Sequence, residues 1–291
     1  MAPWWTTPDA TGSPIDVSAA PPPKPRLGNL TLRLLTAAVG IPVVLALILV
    51  GGWPFILAVA ALLAVGAGEV THALGLRLRD PLTVVCVAAT AGLAIAAAVA
   101  ADTVAAELVL LVMLSLSVMV LAARTEGGFS LWSGAVAAVV YVGILGSHLV
   151  SLRLAPDGQS WLLMAVLMTF ATDTGAYALG RLLGRRKLAP RVSPGKTVAG
   201  AWGGVAAAAG AAVVLNAALG LAQPPAAMLA LGVLVAVAAE IGDLGESLIK
   251  RSLGVKDMGR IFPGHGGVLD RLDSLLFVVP VVYYWVRWIV Q

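Results

Sequence analysis

Two acidic pairs near the carboxyl-terminal end of the chain have the residue types and spacing that suit chemistry on a phosphate-rich substrate. The first pair is Glu240 and Asp243. Together with Ser247 and Lys250 these residues recur at steps of three or four, so they follow one helical face. Asp270 and Asp273 repeat this spacing at the start of the next apolar segment. Dense mixed charge beside an apolar segment is costly and is usually retained for function. We therefore predict an active site within residues 243–274.

The segment between the two acidic pairs contains Pro263-Gly264-His265-Gly266-Gly267, which cannot continue a helix. We expect it to form a tight turn that brings the two helix ends together, so that Asp243 and Asp270 share a cation. Oxygen ligands without a Cys or His cluster favour Mg²⁺, and Asp273 is a candidate for a second cation. The alternative is that these acids form structural ion pairs with Arg251 and Arg271.

A second polar group precedes the first in the chain. Asp173, Tyr177 and Arg181 are four residues apart and share a helical face, and a glycine-punctuated basic loop follows them. We expect Ser193–Thr197 to open the next helix, whose free N–H groups and dipole would favour an anion. The glycine spacing is not that of a Walker A loop. The alternative is that the basic loop is a membrane-orientation signal.

The composition identifies the kind of protein that must position these residues. A mean hydropathy of +0.95 and a hydrophobic content of 59% exclude an ordinary soluble domain and indicate an integral membrane protein. Cys86 is the one cysteine of the chain, so an intrachain disulfide and a cysteine metal cluster are both excluded.

Apolar runs of about 20 residues, long enough to cross a bilayer, predict an all-α polytopic membrane protein with about nine transmembrane helices. We place them at 30–51, 54–75, 82–101, 104–123, 129–150, 160–180, 198–220, 225–249 and 268–290. The proline-rich residues 1–27 are expected to be a disordered cytoplasmic tail. Residues 28–291 then form the membrane catalytic domain, with the sites concentrated in 173–274.

The distribution of basic residues predicts the orientation of this domain. If the amino terminus is cytoplasmic, every lysine and arginine except Arg153 and Arg287 lies in an inner segment. The positive-inside rule therefore predicts a cytoplasmic amino terminus and a carboxyl terminus outside. Both basic loops would then face the cytoplasm, where nucleotides are found.

The carboxyl-terminal pattern resembles the phosphatidate cytidylyltransferase family, also called the CDP-diacylglycerol synthases. The matching residues are Ser247, Lys250-Arg251, Lys256-Asp257, Pro263, His265-Gly266-Gly267, Asp270-Arg271 and Asp273. The family's Asp-Thr-Gly-Ala-Tyr, Gly-Arg and Ser-Pro-x-Lys-Thr elements also stand here, at Asp173–Tyr177, Gly180-Arg181 and Ser193–Thr197. One departure is Ala199, near which the family usually has a glutamate, and we assign no catalytic role there.

The resemblance implies transfer of CMP from CTP to phosphatidic acid, which yields CDP-diacylglycerol and pyrophosphate, at the cell membrane. It points to Asp243 and Asp270 as ligands of Mg²⁺, and the expected catalytic residues are Asp243, Asp270, Lys250, Arg251 and Asp273. The expected substrate-binding residues are Asp173, Tyr177, Arg181, Ser193, Lys196, Lys256, Asp257, His265, Gly266, Gly267 and Arg271. The partners are CTP, phosphatidic acid and membrane lipids, with no nucleic acid; a homodimer is left open.

Other functions share some of these features. A CTP-dependent polyprenol kinase would use similar chemistry, and acids within membrane spans also suit an ion-coupled transporter. A CDP-alcohol phosphatidyltransferase is disfavoured because its Asp-Gly-x-x-Ala-Arg motif is absent. Glu69, near the inner end of the second run, could pair with His72 or Arg77, or line a lipid head-group site.

Overall fold

The protein folds into long helices joined by short connections. The computed structural model describes residues 28–99, 102–123, 128–262 and 266–290. Its helices are α1 (Gly28–Val50), α2 (Gly52–Ala73), α3 (Pro81–Val99), α4 (Asp102–Ala123), α5 (Gly128–Leu154), α6 (Gly158–Leu183), α7 (Val198–Ala218), α8 (Pro225–Ser252) and α9 (Leu269–Val290). Helix α5 contains a π-helical segment at Ala138–Ile144, and α9 ends in another at Val286–Val290.

These helices confirm the prediction of an all-α polytopic membrane protein. Within the described ranges, seven helices are long and apolar enough to span a membrane: α2, α3 and α5 to α9. Helix α1 provides a shorter apolar stretch at Thr36–Val50. The count of nine spans and the sidedness of the termini stay predictions, and the proline-rich tail (residues 1–27) lies outside the described residues.

A two-stranded antiparallel hairpin interrupts the helices between α6 and α7. Strand β1 (Lys187–Ala189) pairs with β2 (Ser193–Thr197), with Lys187 opposite Thr197. This corrects the prediction that Ser193–Thr197 forms the first turn of a helix. Pro194 and Gly195 both disfavour helix, and α7 begins only at Val198, where the Thr197 hydroxyl accepts a hydrogen bond from Gly200 N at 3.1 Å.

Helices α6 and α7 pack with their backbones in close approach. A Cβ atom at Gly175 would lie 2.5 Å from the Gly203 carbonyl oxygen, and one at Gly203 would lie 2.5 Å from the Gly175 carbonyl oxygen. Only glycine fits both positions, which is the way small residues bring membrane helices together. This contact places the hairpin directly beside the carboxyl-terminal end of α6.

The carboxyl-terminal end of α8 is fixed by a Schellman motif. Gly254 adopts a φ of 70°, Gly254 N donates to Arg251 O at 3.2 Å, and Val255 N donates to Lys250 O at 3.0 Å. The helix therefore stops immediately after its basic pair, and the chain turns back towards α9. The fully buried side chains of Leu231 on α8 and of Leu269 and Leu276 on α9 belong to one hydrophobic core.

Candidate active site

Two cavities lie side by side against α6 and α8, and both are lined by Asp173 and Asp243. The hairpin cavity has a volume of about 430 Å³ and lies between α6, the hairpin and α7. The α9 cavity has a volume of about 510 Å³ and is lined mainly by apolar residues of α1, α6 and α9. A polar compartment and an apolar compartment therefore share one acidic boundary.

Lys196, on β2, closes the hairpin cavity against α8. Its Nζ lies 2.5 Å from Glu240 Oε2 and 2.9 Å from Asp243 Oδ2. Burial lowers the pKa of Lys196, but the hydrogen bonds and charges of Glu240 and Asp243 outweigh that effect and hold the pKa above its ordinary value. The side chain is therefore a permanent cation at neutral pH.

Asp243, on α8, is one of the two carboxylates that both cavities share. Its Oδ1 accepts a hydrogen bond from the Ser247 hydroxyl at 3.3 Å, one helical turn further along α8. The side chain keeps 35% of its surface exposed in spite of its contact with Lys196. Asp243 therefore retains an open side towards both cavities.

Lys250 forms a second lysine–carboxylate cluster, at the junction of α8 and α9. Its Nζ lies 2.6 Å from Glu246 Oε2 and 2.9 Å from Asp270 Oδ1. The other Asp270 oxygen accepts hydrogen bonds from Met258 N at 3.0 Å and Gly267 N at 2.7 Å. Asp270 is thus held in one orientation by a cation and two backbone amides.

Asp173 and Asp273 complete the acidic boundary. Both line the α9 cavity together with Asp243 and Asp270. The folded chain therefore brings together acids that are about a hundred residues apart in the sequence. Among the described residues, the lysines that form ion pairs with acids of this boundary are Lys196 and Lys250.

The remaining predicted site residues occupy different positions. Tyr177 and Arg181 line the hairpin cavity, where Arg181 Nη1 donates to the Tyr177 hydroxyl at 2.8 Å. Arg271 lines the α9 cavity. The following line neither cavity: Ser193, Arg251, Lys256, Asp257, Gly266 and Gly267. His265 lies outside the described residues.

Comparison with known proteins assigns the chain to a family. The sequence model of the cytidylyltransferase family matches residues 31–289. The chain belongs to this family. The resemblance seen in the carboxyl-terminal pattern is thereby confirmed for most of the chain.

Individual relatives match the chain over a shorter part. A protein of Bacillus subtilis named phosphatidate cytidylyltransferase is 40% identical over 148 residues, which are 50% of this chain and 55% of that protein. A Staphylococcus epidermidis protein of the same name is 42% identical over 144 residues, with the same coverage. The uncharacterized protein YnbB of Escherichia coli is 42% identical over 131 residues, or 45% of this chain and 44% of YnbB. The chain therefore spans about half the length of the curated relatives it matches.

The acidic boundary between the two cavities suits a hard cation that is also coordinated by water and by substrate phosphates. No group of three or more His, Cys, Asp and Glu side chains within the described ranges could hold a metal ion by itself. Mg²⁺ is usually bound through one or two carboxylates, waters and substrate phosphates. Asp243 and Asp270, which line one cavity, offer such a donor set. The sequence left open that these acids form ion pairs with Arg251 and Arg271. In the structure, Asp243 forms an ion pair with Lys196, and Asp270 forms one with Lys250.

Three acidic residues at this site were not among the predicted site residues. Glu240 binds Lys196, and its position one turn before Asp243 was a signal in the sequence. Glu246 is fully buried against Lys250, and the i, i+4 spacing of the two residues could have indicated the pair. Glu69 contacts the amino-terminal end of α9, and no local pattern indicates that contact.

Proposed function

We propose that the protein transfers CMP from CTP to phosphatidate and releases CDP-diacylglycerol and pyrophosphate. The observation that carries the proposal is the shared boundary of the two cavities at Asp173 and Asp243. A charged nucleotide suits the hairpin cavity, and a diacyl lipid suits the apolar walls of the α9 cavity. The two reacting phosphates would then meet at the acidic boundary between them.

The nucleophile of this transfer, a phosphate oxygen of the lipid, is already negatively charged. A phosphate oxygen of the lipid attacks the α-phosphorus of CTP, the bond from that phosphorus to the bridging oxygen of the β-phosphate breaks, and pyrophosphate leaves with the electron pair. Because the attacking phosphate is an anion, no strong general base is required. Catalysis consists mainly of placing mutually repelling phosphates together and stabilising the charge on the leaving group.

Lys196 and Arg181 are assigned to the phosphates in the hairpin cavity, because both side chains line it. Arg271 is assigned to the lipid phosphate, because it lines the α9 cavity beside Asp270 and Asp273. Lys250 is assigned to the reacting phosphates, next to Asp270. The Lys196 ammonium can exchange a carboxylate partner for a phosphate without being buried alone.

Asp243 and Asp270 are the residues that we propose to hold Mg²⁺. When bound, Mg²⁺ neutralises negative charge on the triphosphate and on the departing pyrophosphate. Asp273, one helical turn after Asp270, is proposed for a second cation or for orienting Arg271. Asp243, Asp270 and Asp273 all line the α9 cavity.

The proposed location is the bacterial plasma membrane, with the active site facing the cytoplasm. The distribution of lysine and arginine supports this orientation, and the named relatives are bacterial. CTP would then enter the hairpin cavity from the cytoplasm, and phosphatidate would enter the α9 cavity from the bilayer. Membership of the cytidylyltransferase family does not favour the polyprenol kinase or the transporter.

Purified protein in detergent, supplied with labelled CTP, phosphatidate and Mg²⁺, tests the proposal. The expected products are labelled CDP-diacylglycerol and an equal amount of pyrophosphate. A parallel reaction replaces phosphatidate with a polyprenol. Phosphorylation of the polyprenol, with no pyrophosphate formed from CTP and phosphatidate, would identify a kinase and overturn the proposal.

A further inference from the structure

Glu69 is a buried carboxylate in the amino-terminal half of the chain whose two oxygens both contact the active-site turn. The residue lies near the carboxyl-terminal end of α2 and is 7% exposed. Oε1 accepts a hydrogen bond from Val268 N at 2.9 Å, and Oε2 accepts one from Leu269 N at 2.9 Å. It therefore makes neither of the pairs expected from its sequence neighbours, His72 and Arg77.

The charge of Glu69 is compensated by the helix that it contacts. Within the described residues no lysine or arginine forms an ion pair with Glu69. A buried carboxylate without a cation is costly unless hydrogen bonds replace its water. Here two amides at the positive end of the α9 dipole replace it. The contact is therefore specific to the position and orientation of this helix end.

The same helix end carries Asp270. Val268 N and Leu269 N bind Glu69, and the preceding amide, Gly267 N, binds Asp270 Oδ2 at 2.7 Å. Two carboxylates thus take three consecutive amides of one turn. A rotation of that turn would break the Glu69 contacts and would also turn Asp270 away from Lys250.

The loop before α9 is shaped around the Glu69 carboxylate. A Cβ atom at Gly259 or Gly267 would collide with Glu69 oxygens, and one at Gly266 would lie 2.7 Å from Asp270 Oδ2. Glycine at these positions lets the loop close over both carboxylates. Glu69 is consequently enclosed by two separate parts of the loop as well as by the helix end.

We propose that Glu69 is a positioning residue for the transfer reaction: it anchors the first turn of α9 to α2, so that Asp270 faces Lys250 and the α9 cavity. The inference rests on the proposed CMP transfer for its kinetic consequence, and on the contacts alone for the anchor. Misplacement of a reacting group by about 1 Å can reduce a rate by about a hundredfold. Glu69 lines neither cavity, so substrate affinity should depend on it far less than the rate does.

The first test replaces Glu69 by glutamine, which keeps the size but offers only one acceptor oxygen to two amides. Glu69→Gln should lower kcat by about tenfold to a hundredfold and leave both Michaelis constants within about threefold. Glu69→Asp keeps the charge and both acceptors on a shorter side chain, so it should recover part of the lost kcat. Thr71→Val is the matched control, because Thr71 is buried in the same turn of α2 and its hydroxyl donates to Gly68 O of its own helix at 3.0 Å.

A second variant moves Glu69 without changing it. Gly259→Ala should displace the Glu69 carboxylate and lower kcat in the same way, and the double variant should lose less than the product of the two single losses. If Glu69→Gln does not fold, Gly259→Ala supplies the same measurement. A kcat within twofold of wild type in folded Glu69→Gln, or a raised Michaelis constant with an unchanged kcat, would overturn the positioning role.

Hydrogen exchange separates this inference from the proposed function. In Glu69→Gln, the peptide that covers residues 266–272 should exchange faster than in wild type, whereas Thr71→Val should leave it unchanged. If wild type makes no CDP-diacylglycerol, the proposed function fails, and the exchange result still decides whether the anchor exists. Unchanged exchange in Glu69→Gln would overturn the anchor itself.

Discussion

The site contains two lysine–carboxylate clusters of the same composition in different surroundings. Lys196 binds Glu240 and Asp243 at the edge of the hairpin, and the side chains of these acids are 17% and 35% exposed. Lys250 binds Glu246 and Asp270 between two helices, where the acids are 0% and 4% exposed. The open cluster can exchange its partners for a substrate, whereas the closed cluster holds its acids in fixed positions. Two clusters of the same residue types are therefore expected to differ in role: the Lys196 cluster suits substrate binding, and the Lys250 cluster suits the positioning of its carboxylates.

Removal of the Asp243 carboxylate, which lines both cavities, should have the largest effect. Asp243→Asn is expected to reduce turnover at least about a thousandfold, equivalent to about 4 kcal/mol, because it removes a proposed cation ligand at the meeting point of the substrates. Activity assays with saturating substrates, beside size-exclusion profiles in detergent, would measure it. Asp157→Asn, at the junction of α5 and α6, is the control. Near-normal turnover with unchanged Mg²⁺ dependence would remove Asp243 from the site.

The closed cluster should respond in both rate and stability. Lys250→Ala should lower kcat at least tenfold, about 1.4 kcal/mol, and should also destabilise the protein by about 3–5 kcal/mol, because Glu246 is left buried without a cation. Thermal unfolding and steady-state kinetics would measure the two losses. Adding Glu246→Gln should restore much of the stability but not the rate. Recovery of both would make Lys250 a purely structural residue.

The open cluster should respond mainly in substrate affinity. Lys196→Ala is expected to raise the Michaelis constant of one substrate by about fivefold to tenfold, while kcat changes less. Titration of CTP and phosphatidate separately would identify which phosphate Lys196 binds. A loss in kcat as large as that of Lys250→Ala would contradict the distinction between the clusters.

The raised pKa of Lys196 predicts how substrate binding at the Lys196 cluster depends on pH. Because the pKa is raised in the folded protein, the stabilisation from its ion pairs is complete below the ordinary lysine pKa. It is lost only as the pH rises through the raised value. Between pH 7 and pH 9 the Michaelis constant that depends on Lys196 should therefore show no step from this residue.

The smallest effect is expected at the base of the hairpin. Thr197→Ala removes the side-chain cap of α7 and should cost about 1 kcal/mol of stability, with a small rise in the Michaelis constant that Lys196 controls. Thr197→Ser, which keeps the capping oxygen, should behave like wild type in thermal unfolding. A loss of stability in both variants would mean that the threonine methyl group, and not the cap, is important.

The sequence was sufficient for the helices, and several of the predicted site residues, such as Asp173, Asp243 and Asp270, line the two cavities. The run predicted at 225–249 corresponds to Pro225–Ser252, and that at 198–220 to Val198–Ala218. Apolar length alone determines such segments, because an uninterrupted helix satisfies every backbone group within the bilayer. The hairpin was missed because short strands with Pro194 and Gly195 have no periodicity to detect.

The sequence by itself determined which residue types are available and which of them share a helical face, because a spacing of three or four is a local property of the helix. Only the tertiary structure decided the partners. Lys196 and Glu240 are 44 residues apart, and Glu69 and Val268 are 199 residues apart. Contacts between distant segments depend on how whole helices pack, through close approaches such as Gly175 against Gly203, and no local pattern encodes that geometry. Local sequence therefore determines which charged residues each helix carries, and the packing of the helices determines which of those charges form pairs.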